Sequence, residues 1–62
     1  MFSLMEKRNG IIKLYHHKKK MMEEKIVAGD DQTANEMGHN LDGMVEVFNN
    51  IFGEDLREAE ER

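Results

Sequence analysis

Apolar positions recur at helical spacing along most of the chain. Between residues 4 and 27, Leu4, Ile11, Ile12, Tyr15, Met22 and Ile26 follow one another at steps built from three, four and seven. At about 100° per residue these positions share one stripe roughly 100° wide, which predicts a helix over about residues 5–27 with a single buried face. Leu14 and Met21, seven apart, fall on the flank of that stripe and mark a second contact surface. Gly10 costs about 1 kcal/mol relative to Ala in a helix interior, so the spacing places the helix start between Ser3 and Gly10. From Gln32 to Phe52 the pattern is stronger: Ala34, Met37, Leu41, Met44, Val45, Phe48, Ile51 and Phe52 form an almost unbroken three-four repeat. This predicts a second helix over about residues 31–52.

The punctuation agrees. Ala28-Gly29-Asp30-Asp31 reads as a helix stop followed by a start, with Gly29 suited to the left-handed position and Asp30 or Asp31 able to accept from free N–H groups. Gly53 is a candidate C-cap for the second helix. A short connection makes the two helices antiparallel neighbours, so the expected fold is all-α: a helix-loop-helix hairpin over residues 1–53, with Leu14 and Met21 available for self-association or a partner. Residues 54–62 are mostly charged with one large apolar residue, Leu56, and read as a disordered tail.

Composition narrows the function more than the fold. The chain has 62 residues, no Cys, no Pro and no Trp. A chain of this size is too small to enclose a deep catalytic cleft, and the lack of Cys removes thiolate metal sites and a nucleophilic thiol. No apolar run approaches the roughly 18 residues of a membrane span, and none follows the N-terminal charges as in a signal peptide. The reading is a soluble, cytoplasmic protein with no membrane contact. Charge is divided: residues 1–27 carry seven Lys/Arg against three Asp/Glu, whereas residues 28–62 carry two Arg against ten acids. The two halves should attract each other.

Few residues carry chemistry. In the run His16-His17-Lys18-Lys19-Lys20 the adjacent histidines point about 100° apart on a helix, whereas a helical metal pair needs a spacing of three or four, so no metal site is expected. With an acidic chain overall and only Tyr15 as an interleaved aromatic, nucleic-acid binding is not expected either, and the run reads as a solvated face. The second helix is more informative. Asn35, Gly38, Asp42 and Asn49 share one side, bordered by His39 and Glu46, next to the apolar stripe. Gly38 and Gly43 are costly inside a helix and point to close approach by something else. The set reads equally as a soluble boundary face or as a docking and catalytic face.

The segment Gly38-His39-Asn40-Leu41-Asp42, nine residues after the Gly29 turn and followed by Met44 and Val45, resembles the second-helix signature of the stage-zero sporulation regulatory phosphatases. These are small helix-loop-helix proteins of spore-forming bacteria that remove the phosphoryl group from an aspartyl-phosphate on a response regulator. Their signature is Ser-Gln-Glu-Leu-Asp; Leu41 and Asp42 match it, while Gly38, His39 and Asn40 stand where the family has Ser, Gln and Glu. Size, the basic first helix and the Gly-containing turn extend the resemblance over roughly residues 5–50.

The resemblance implies a hydrolase in two-component phosphorelay signalling that negatively regulates sporulation. It implies Asp42 as the catalytic residue and Leu41 as the structural member of the motif. Asn35, Gly38, His39 and Asn40 become candidates for contacts to water, phosphoryl oxygens or the partner. No cofactor belongs to the chain itself, because Mg²⁺ is carried by the phosphorylated response regulator. The rival reading is a non-enzymatic helical interaction module that dimerises through Leu14 and Met21 or sequesters a regulatory partner.

Overall fold

The computed structural model describes residues 3–62. Helix α1 spans Leu4–Val27, α2 spans Asp31–Phe52 and a short α3 spans Leu56–Glu61. The described residues include no strand. The first two helices are those the apolar spacing predicts, and they pack against each other as an antiparallel hairpin.

Each boundary has a local cause. Ser3 caps α1 by accepting from the Glu6 N–H at 3.2 Å, with Glu6 at the position where a carboxylate favours a helix start. That cap holds the first turn, so Gly10 lies inside the helix and does not delay it. At the other end the Asp30 N–H donates to the Lys25 carbonyl at 2.9 Å and the Gly29 N–H to the Ile26 carbonyl at 3.1 Å. This is the Schellman arrangement, and it needs the left-handed φ of 80° at Gly29. The Asp30 side chain then accepts from the Thr33 N–H at 3.3 Å and starts α2.

The core consists of Tyr15, Leu41, Phe48, Leu56 and Ala59, with Ile11, Ile12, Met22, Met44, Val45 and Phe52 packed around it. Phe48 and Phe52 stack obliquely, ring centres 4.7 Å apart. Five expected members of the stripes lie outside it: Leu4, Ile26 and Ile51 are all more than half exposed, Met37 is half-buried beside a surface hollow with Lys18, Met21 and Asn40, and Ala34 is buried apart from the cluster. Ile26 sits near the turn, where the inward residues of α2 are Ala34 and Gly38, too small to cover it.

The charged segment after Gly53 departs from the expected disorder. Gly53, at φ 67°, closes α2 and turns the chain, Asp55 caps α3 by accepting from the Arg57 N–H at 2.9 Å, and α3 packs against both long helices. Leu56 is fully buried and Ala59 nearly so. Ion pairs secure the helix at both ends: Glu54 takes two hydrogen bonds from Arg8 at 2.6 and 2.7 Å, and Glu60 meets His16 at 2.6 Å and Lys19 at 3.6 Å. These pairs advance together along both segments, so α3 runs parallel to α1. Short segments of this kind form only with tertiary support, and the hairpin supplies it.

Candidate functional site

The residues of the phosphatase-like segment are sorted by the turn of α2. Leu41 points inward and is 5% exposed, whereas Asp42, the next residue, is on the open surface. Asn35 and His39 are exposed on the Asp42 side of the helix, two turns and one turn away respectively. Asn40 is separated from them: it lines a hollow with Lys18, Met21 and Met37 on the other flank of the hairpin. Gly38 is half-buried, and a Cβ placed there would meet only the Met22 Sδ at 3.7 Å, an ordinary contact. Close packing within the chain therefore does not account for Gly38. Leu14 and Met21 are 48% and 40% exposed, outside the intrachain core as their spacing predicts.

Asp42 has neighbours from both other helices. Its charge bears on Tyr15 of α1 and on Arg57 of α3, raising the pKa of each, although in neither case is it the main cause. Burial is the first reason that the Tyr15 phenol titrates above its ordinary value; Lys19 and Arg57 oppose that rise, and Glu60 and Asp42 add to it. Arg57 is raised chiefly by its hydrogen bonds to Asp55, from Nε at 3.2 Å and from the terminal nitrogen at 3.1 Å. Asp42 itself makes no ion pair among the described residues. The arrangement is a free carboxylate on a helix surface whose charge is felt by the buried Tyr15 phenol and by the Arg57 guanidinium, itself bonded to Asp55. It can accept a hydrogen bond from water or from a docked partner.

The sequence marks Tyr15 as a core residue and as the aromatic beside the basic run, not as a neighbour of Asp42, and it does not single out Arg57. The hairpin itself brings Tyr15 of α1 towards Asp42, whereas Arg57 arrives only because α3 folds back, for which the local sequence gives no signal. Among the described residues no three His, Asp or Glu side chains converge as metal ligands. Nor is any helix long and apolar enough to cross a membrane. Comparison with protein-family models, with curated proteins and with solved structures gives no match.

Proposed function

We propose that the chain is a protein-aspartyl-phosphate phosphatase that acts on a phosphorylated response regulator and so restrains sporulation signalling. The observation that carries this reading is the split of the Leu41-Asp42 pair: Leu41 anchors α2 in the core, and Asp42 is presented on an open helix surface. An aspartyl-phosphate is a mixed anhydride, already labile, and the regulator supplies the phosphorylated side chain and its Mg²⁺. A small helical protein then needs only to dock and orient a water for in-line attack. The water oxygen attacks phosphorus, the bond from phosphorus to the aspartyl oxygen breaks, and the products are the free carboxylate and inorganic phosphate. Asp42 accepts a hydrogen bond from the attacking water, while His39 and Asn35 lie along the same docking face.

The test is release of phosphate from a phosphorylated sporulation response regulator at substoichiometric protein. Turnover above the spontaneous rate supports the reading. Asp42→Ala should lower the rate by roughly 10²-fold, as for other positioned polar groups, with an unchanged thermal melt because the side chain is exposed. Binding without turnover would favour the interaction module instead, a reading supported by the apolar hollow between α1 and α2 lined by Ile11, Gly43, Met44, Val47 and Phe48.

A further inference from the structure

The hairpin has two long grooves between α1 and α2, and this chain fills one of them. α3 occupies the first, where Leu56 and Ala59 join Tyr15, Leu41 and Phe48, and where Glu54 and Glu60 meet Arg8, His16 and Lys19. At about 100° per residue, Leu14, Lys18 and Met21 point away from that side of α1, and Met44 and Val47 point away from the Asp42 side of α2. Between them runs the second groove. It holds a hollow of about 340 Å³ lined by Ile11, Gly43, Met44, Val47 and Phe48. A further hollow of about 220 Å³, between Met21 and Met37, continues it towards the turn.

Three observations describe what fits there. Along α2, Met37, Asn40, Met44, Val47 and Ile51 alternate steps of three and four, the seam on which another helix packs. A Cβ at Gly43 would meet nothing within 4 Å, so this glycine, costly inside a helix, leaves depth that no part of the chain uses. Charge then selects the occupant. Lys7, Lys18 and Lys25 lie along the α1 rim and make no ion pair among the described residues. From the α2 rim only Glu36 answers them. A second copy would bring three more lysines to the shared interface for each acid, whereas an acidic helix would neutralise the rim, as α3 does on the other side.

We propose that the second groove binds an amphipathic helix of another protein, with an apolar seam flanked by Asp or Glu. The site is separate from Asp42 and does not depend on phosphatase activity. The probe is a fluorescein-labelled helical peptide with Leu in a three-four repeat and Glu at the flanking positions, compared with the same peptide carrying Lys there. The expected result is saturable binding of the Glu peptide only, weakening as salt rises, with amide shifts in the 62-residue chain centred on Leu14, Lys18, Gly43 and Val47. Gly43→Leu, which fills the hollow, should weaken binding by roughly tenfold or more, and so should Lys18→Glu, a surface change that leaves helicity intact. Equal binding of both peptides, binding of neither, or shifts centred on α3 would overturn the proposal. So would concentration-dependent dimerisation abolished by Leu14→Glu, which would assign the groove to a second copy.

Discussion

Leu41 and Asp42 are neighbours in sequence and opposites in environment, and the consequences of changing them should separate cleanly. Leu41 is 5% exposed within the core, so Leu41→Ala removes buried surface and leaves a cavity at a cost of about 2–5 kcal/mol. Urea denaturation should show the unfolding free energy falling by that amount, with a lower midpoint at an unchanged slope, and an unchanged midpoint would mean that the site collapses around the smaller residue. Spacing alone placed Leu41 inward and Asp42 outward, because a single helix turn decides both. It could not place Leu4 or Ile26, which share the stripe but lie more than half exposed. Periodicity records which way a side chain points, whereas burial also needs something large opposite it. Near the turn, α2 offers only small inward residues.

At the scale of the element, the caps were legible and the third helix was not. Gly29 and Gly53 lie where the apolar repeats stop, and both adopt the left-handed conformation a helix stop calls for. The information that orders residues 56–61 is instead distributed over Arg8, His16, Lys19 and the core surface that Leu56 completes. Read by itself, the segment is a charged run. Its attachment should be sensitive to acid. Glu54 is held below the ordinary carboxylate range chiefly by its hydrogen bonds from Arg8, Asp55 by those from Arg57 and Glu60 by that from His16. A carboxylate whose pKa is lowered on folding gives its full stabilisation above the ordinary range and loses it as pH falls through the lowered value. Below that range α3 should detach while Leu41 and Phe48 keep the hairpin together. Amide exchange followed from neutral pH into acid should show protection lost first at Leu56–Glu61, and simultaneous loss in all three helices would contradict this.

For the whole molecule, the Cα radius of gyration is 12.6 Å, with extents of 39, 22 and 17 Å. A near-spherical chain of this length would have a radius of about 10.6 Å. The shape is that of three rods side by side, with most side chains close to solvent. The division of charge between the halves of the sequence is expressed mainly between α1 and the final segment, since Arg8, His16 and Lys19 all pair with Glu54 or Glu60. The fully buried Leu56 gives this architecture a kinetic order. A six-residue helix cannot nucleate alone, so α3 condenses after the hairpin exists, and its contacts are absent when the folding barrier is crossed. Leu56→Ala, at about 2 kcal/mol or more, should then speed unfolding by roughly thirty-fold while leaving the folding rate almost unchanged. Stopped-flow measurement of both limbs checks this; slower folding would place α3 in the nucleus. The last few residues thus act as a brake on unfolding: they contribute little to how fast the native state forms and much to how long it lasts.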